Sequence, residues 1–315
     1  MDGKCPKEFV EAMRKEETKN SEGSRKYPMR MVLKVAGYSS AAWYGGQKRD
    51  KNTNQRKRGP IPKVSDEQVL KTIGDVLKEC PFHSEGYKKI RMRMRRKGVV
   101  VGKKRLLTLM RTNNLLAPIR PKSNGSSRPH DGKIRTEQLD QMWGTDGKQF
   151  WTAEDGNCWF FGVIDHCSDE LLAHHVAKVG NRFAALEPVR EAVKRRFGTI
   201  AEGIVKDVEL YLRSDHGSQY DSRDFQAELK FLGLKRSPAF VRSPECNGIV
   251  ERFHRTLQEQ VFDVHQFNNL EEARKVIAEF IYRYNNEWLI ARLGYRSPIE
   301  FRKEKENEKY FLKSA

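Results

Sequence analysis

Residues 208–218 read Val208-Glu209-Leu210-Tyr211-Leu212-Arg213-Ser214-Asp215-His216-Gly217-Ser218. Residues 247–258 read Asn247-Gly248-Ile249-Val250-Glu251-Arg252-Phe253-His254-Arg255-Thr256-Leu257-Gln258. The first stretch alternates like a strand from Val208 to Arg213 and delivers Asp215 just before a glycine turn. The second predicts a helix that opens at Asn247-Gly248 and runs to about Val261. On a 3.6-residue wheel Ile249, Val250, Phe253 and Leu257 share one side, and Glu251, His254, Arg255 and Gln258 take the other. Glu251 is therefore expected on the polar face of a helix whose opposite face is anchored in a core.

A third acid is approached in the same way. Trp143-Gly144-Thr145-Asp146 reads as a strand and is followed by Gly147. Asp146 and Asp215 are 215 − 146 = 69 positions apart, and 35 residues lie between Asp215 and Glu251. Carboxylates that converge on one point raise one another's pKa instead of all ionising. A divalent cation removes that conflict, and hard oxygen ligands select Mg²⁺ or Mn²⁺. A pair of such ions suits phosphoryl transfer, one acting on the attacking oxygen and one on the leaving oxygen.

Asp146, the run Leu212–Tyr220 and the run Asn247–Phe253 together resemble the DDE core of retroviral integrases and bacterial insertion-sequence transposases. The similarity is greatest to OrfB of the insertion sequence three family, and it extends to Tyr284-Asn285, Leu293–Pro298 and Phe301. It covers roughly residues 27–303. The resemblance implies an α/β fold: an RNase H-like catalytic core, with a mixed five-stranded sheet and flanking helices, preceded by small all-α helix-turn-helix units. It implies that Asp146, Asp215 and Glu251 are both catalytic residues and metal ligands for two Mg²⁺ ions, with Mn²⁺ able to substitute. It implies cleavage of element ends and strand transfer, with terminal inverted repeats and target DNA as partners, a homo-oligomer on DNA, and an upstream OrfA product or fusion. His216 and Arg255 are expected near the scissile strand. Asp165 also ends an apolar strand, but the family gives that position no metal, so its expected role is structural. The chain departs from the family pattern at Gln258, at Trp288-Leu289-Ile290 and at His83–Tyr87. Two other readings stay open: an inert DNA-binding regulatory or assembly protein on an RNase H-like fold, and a plain RNase H-type nuclease.

Composition supports a polyanion partner. The 315 residues carry 60 Lys and Arg against 42 Asp and Glu, a net charge of +18, and such a field attracts nucleic-acid phosphates. No apolar run approaches the ~20 residues that span a bilayer. Five scattered cysteines without a Cys-x-x-Cys pair read as reduced thiols of a cytoplasmic, nucleoid-associated protein without structural zinc. His174 and His175 fall in a strand and point to opposite faces, as ordinary strand residues.

In chain order, residues 1–26 read as a polar tail. Residues 27–63 read as a short helical hairpin, with Met31, Val32, Val35, Ala42 and Trp43 inward and Ser39 as a cap, followed by a basic linker. Residues 64–117 predict a helix-turn-helix domain. Its first helix is opened by a Ser65–Gln68 capping box and carries Val69, Ile73, Val76 and Leu77. The second turns Tyr87, Ile90 and Met94 inward and shows Lys88, Lys89, Arg91, Arg95 and Arg96. The third buries Leu106, Leu107 and Met110 and shows Lys103, Lys104, Arg105 and Arg111. Acids are nearly absent from the last two helices, which marks them for DNA contact. Residues 118–135 read as a flexible basic linker. Residues 136–268 form the expected catalytic core, with a helix over Phe183–Phe197 and a loop over Pro238–Asn247 that orders on DNA. Residues 269–315 are a helical extension.

Overall fold

The structure is a computed structural model and describes residues 10–12, 28–47, 62–118, 136–215, 217–238 and 248–314. The expected polar tail, the basic linkers over 45–63 and 118–135, the loop over 238–247 and His216 lie almost wholly outside them. The chain divides into two compact units, Met1–Lys63 and Val64–Ala315.

In the first unit, α1 (Met29–Val35) and α2 (Ser40–Gln47) are joined through Gly37 at φ 72°. Val32, Leu33 and Trp43 are buried there, whereas Met31 and Val35 are exposed. The expected inward stripe was thus one residue out of phase, and Leu33 supplies the contact it lacked.

The second unit starts with three helices: α3 (Asp66–Glu79), α4 (Tyr87–Arg96) and α5 (Lys103–Thr112). The Ser65–Gln68 capping box forms as read from the sequence. Val69, Ile73, Val76, Ile90, Met94, Leu106 and Met110 close a small core of their own; Leu77, expected inward, is 36% exposed because it sits at the edge of that stripe.

Residues 136–238 build a five-stranded sheet: β1 (Met142–Thr152), β2 (Gly156–Asp165), β3 (Leu171–Ala177), β4 (Tyr211–Ser214) and β5 (Lys235–Pro238), in the order β3-β2-β1-β4-β5. The β1–β2–β3 meander is antiparallel, and β4 and β5 add in parallel. Parallel neighbours need crossovers, and helices supply them. They are α6 (Arg182–Phe197), the short α7 (Ser218–Asp221) and α8 (Arg223–Leu232). Beyond β5 come α9 (Gly248–Leu257), which continues as a π-turn over Gln258–Phe262, then α10 (Leu270–Glu287) and α11 (Pro298–Ser314). This mixed sheet between helical layers is the α/β, RNase H-like architecture expected.

The sheet carries a core on each face. Trp143, Phe161, Leu212, Val189, Tyr220 and Phe225 fill one; Phe160, Ile164, Phe253, Leu257, Phe280 and Tyr284 fill the other. At roughly 1.5–3 kcal/mol per buried large apolar side chain, these layers hold β1 and β4 rigidly side by side. The helical unit is joined to this body. Phe82 enters the second core, 4.8 Å from the Trp288 ring, and the His83 amide donates to Gln260 Oε1 at 2.8 Å. Arg93 reaches the Glu287 carbonyl, and Arg96 ion-pairs with Glu300.

Three local readings are corrected. Val208 and Glu209 are not strand: a 3₁₀ turn covers Lys206–Val208, and Glu209 takes φ 53°, so β4 begins at Tyr211. The helix expected over Phe183–Phe197 starts at Arg182, and Phe183 in its first turn is 56% exposed with the Arg182 guanidinium over its ring. His254, read as polar-face, is buried. It lies only about 40° around the helix from Val250 at 100° per residue, inside the arc that β1 covers. Among the described residues no helix is long and apolar enough to cross a membrane.

Candidate active site

Gly144 of β1 is paired with Arg213 of β4 in parallel register. Two residues further along each strand's path stand Asp146, within β1, and Asp215, one residue past the end of β4. Their charges converge on one atom. After burial itself, Asp146 and then Asp215 push the Tyr220 hydroxyl well above its ordinary pKa.

Each aspartate is oriented by a glycine amide. Gly147 N donates to Asp146 Oδ1 at 2.8 Å, and Gly217 N donates to Asp215 Oδ1 at 3.1 Å. Position 147 accepts only glycine, since a Cβ there would stand 2.6 Å from the Phe161 ring. Gly147 is no turn: it lies inside β1, where it supplies a donor and leaves room for the Phe161 ring, while Gly217 supplies the donor at Asp215.

Glu251 lies exposed in the first turn of α9. One helical turn later His254 reaches β1: its Nδ1 is 3.4 Å from Asp146 Oδ2. The ring meets Phe160 edge-on at 5.9 Å. The structure therefore aligns the two aspartates and brings the helix of Glu251 against Asp146. It does not gather all three: among the described residues no three His, Cys, Asp or Glu side chains stand close enough to hold an ion. Mutual repulsion of three carboxylates opposes that closure. The donors themselves, carboxylate oxygens beside backbone amides, have the chemistry of a hard divalent cation's ligands.

Asp165 is structural, as read. It is fully buried, its Oδ2 accepts from both the amide and the hydroxyl of Ser168 at 2.8 and 2.7 Å, and Arg302 lies 3.5 Å away.

The basic residues singled out for DNA fall into two groups. Lys88, Arg95, Lys103, Lys104, Arg111 and Arg255 are exposed. Three others are engaged within the protein. Lys89 Nζ lies 2.9 Å from the Trp288 ring centroid and 3.6 Å from Glu85, and burial lowers its pKa to about 8. Arg91 donates to the Val101 carbonyl, and Arg105 to Asp66 and the Val64 carbonyl. Between the helical unit and α9 opens a cleft of about 820 Å³, lined among others by Lys88, Tyr87, Arg252, Arg255 and Tyr295.

The sequence matches two family models: one described as an integrase core domain, over residues 232–298, and one described as an HTH-like domain, over residues 67–123. The chain is 30% identical over 248 residues to the transposase InsD for insertion element IS2A/D/F/H/I/K of Escherichia coli, covering 77% of this chain and 80% of that protein. The InsD transposase for IS2-9 of Escherichia coli strain K12 is also 30% identical, at 77% and 79% coverage. Among solved structures, the simian T-cell lymphotropic virus intasome in complex with a PP2A regulatory subunit aligns at 14% identity and a TM-score of 0.44, over 73% of each chain. The HTLV-2 integrase catalytic core domain in complex with magnesium aligns at 15% identity and 0.38, over 51% of this chain and 95% of that one.

Proposed function

This chain belongs to the insertion-element transposases, the OrfB-type proteins of the insertion sequence three family, and on that footing we propose which of its residues carry DNA cleavage and strand transfer. The integrase-type core depends on divalent metal. Asp146, Asp215 and Glu251 are the ligands, Mg²⁺ is the resident ion at two per site, and Mn²⁺ substitutes. Bound there, the ions lower the pKa of the attacking oxygen and neutralise charge on the leaving one in an in-line displacement.

The chain's own contribution is geometric. The parallel pairing of β1 and β4 supports Asp146 and Asp215 as neighbours, glycine amides orient their carboxylates, and α9 carries Glu251. These acids hold and orient; they need not transfer protons. Water is the first nucleophile and a DNA 3′-hydroxyl the second. The substrates are the element's terminal inverted repeats and target DNA. Lys88, Arg95, Lys103, Lys104, Arg111 and Arg255 meet the phosphates, with His216 beside the scissile strand. Assembly is a homo-oligomer on DNA, with an upstream OrfA product as partner.

One observation carries this reading: Asp146 and Asp215, each two positions beyond the paired Gly144 and Arg213, both act on the Tyr220 hydroxyl, and the helix of Glu251 reaches Asp146 through His254. The test incubates the full chain and labelled terminal-repeat DNA with Mg²⁺ or Mn²⁺, with and without the upstream partner. Nicking and joining by the parent, both lost in Asp146→Asn, are expected. Tight binding without either reaction under every condition would refute it and favour the inert DNA-binding reading.

A further inference from the structure

His254 ties the helix of Glu251 to Asp146. It is 7% exposed, wedged against Phe160 and Phe253, with ring centroids 5.9 and 6.1 Å away. A polar side chain held in such an apolar wall costs free energy unless a partner compensates it. Nδ1 faces Asp146 Oδ2 at 3.4 Å, while Nε2 is buried and makes no hydrogen bond. A core position filled only for packing would take Leu or Phe at no such cost.

We propose that His254 is a positioning residue for the transposition site: its Nδ1–H holds the Asp146 carboxylate so that Oδ1 and Oδ2 are presented toward Asp215 and Glu251. The geometry has two halves. Gly147 N donates to Oδ1 from the strand, and His254 Nδ1 faces Oδ2 at 3.4 Å from the helix, so the carboxylate is approached from both sides. The same contact sets the height of α9 over β1, and Glu251, one turn before His254, moves with it. Side chains that orient metal ligands typically contribute 10–100-fold in metal affinity. This inference rests on the metal-ligand role proposed for Asp146.

The test compares the full chain with His254→Asn, His254→Gln and His254→Leu. Asn places an N–H near the position of Nδ1, Gln displaces it toward Nε2, and Leu removes it at similar volume. Mn²⁺ binding is read by calorimetry or by electron paramagnetic resonance of the free ion, alongside the thermal midpoint and DNA affinity. His254→Leu is expected to weaken Mn²⁺ binding roughly 10–100-fold, His254→Asn to restore most of it, and His254→Gln to fall between. DNA affinity should be unchanged in all three. The Asn–Gln comparison decides the matter if the Leu variant does not fold. Equal Mn²⁺ affinity in the parent, Asn and Gln chains, or equal loss in Asn and Gln, overturns the positioning role alone. A parent chain with no Mn²⁺ binding that Asp215→Asn removes overturns the metal assignment, and this inference with it.

Discussion

Two groups of acids meet the sheet, one at Asp165, whose β1 partner Trp143 stands three positions before the other group's Asp146, and their surroundings are opposite. Asp165, paired with Trp143 across the sheet, belongs to the first. With Asp140 and Glu170 it surrounds the 4%-exposed Arg302, whose Nη1 is 2.8 Å from Asp140 Oδ2 and whose Nε ion-pairs with Glu170. Arg196 and Arg195 close the outside, at 3.0 Å from Asp140 and 2.9 Å from Glu170. Burial pushes Asp140 up, but Arg302 and Arg196 outweigh it and hold its carboxyl below the usual range. At Asp165 burial wins and the pKa is raised despite Arg302. The second group, Asp146, Asp215 and Glu251, is half-buried to exposed and is oriented by backbone amides and an imidazole. Acids that hold the fold are ringed by guanidinium; the acids proposed as metal ligands are left more accessible.

That contrast breaks most sharply at Asp215. Asp215→Asn is expected to lower strand transfer by roughly 10³-fold or more, with DNA affinity and unfolding midpoint near those of the parent. Joining assays on terminal-repeat DNA and a thermal melt read the two quantities; retained joining would move Asp215 into the structural group.

The converse substitution is Arg302→Met. It strands buried carboxylates without their cation, a loss of about 3–5 kcal/mol, seen as a lower urea midpoint at unchanged slope. A loss below about 1 kcal/mol would mean that Arg195 and Arg196 alone suffice.

pH sharpens the comparison further. His166, next to Asp165, is 3% exposed, and burial first, then Arg213 and Arg292, lowers its pKa to about 4. Its folded pKa thus lies below the unfolded value near 6.5. Between those values the unfolded chain binds more protons, so stability grows as pH rises from about 4 to 6.5 and is lost as pH falls through that window. The span is worth roughly 3 kcal/mol at most. Urea unfolding across this range should show that slope, and His166→Gln should flatten it. Activity measured at saturating metal should not follow the same curve.

The acids proposed for the site stand out in the sequence more than their setting does. Asp215 follows a strand and precedes a glycine by two positions, which is local information, whereas Asp146-Gly147 lies in the middle of β1 and not at its end. Asp140 and Arg302 are 162 residues apart, and nothing in either neighbourhood marks the pair. His254 was misplaced because a wheel assigns faces but not the width of the arc that a sheet covers. The docking of the helical unit was likewise invisible. Yet two of the segments that depart from the family pattern, His83–Tyr87 and Trp288–Ile290, line the same cleft, and Phe82 and Lys89, which border the first, flank Trp288 of the second. Departures that looked like noise along the chain are neighbours in space.

The smallest effect separates cations that look alike in sequence. Lys103 and Lys104 are exposed at the start of α5, whereas Lys89 is spent between Glu85 and Trp288. Lys103→Ala or Lys104→Ala should lower the slope of log affinity against log salt by about one where the lysine meets a phosphate. Lys89→Met should leave the slope unchanged, because an amine buried against an indole releases no counterion when DNA arrives. Fluorescence anisotropy of labelled end DNA between low and moderate salt reads both. An equal loss of slope in Lys89→Met would mean that the helical unit separates from Trp288 on binding and turns its inner cations to the DNA.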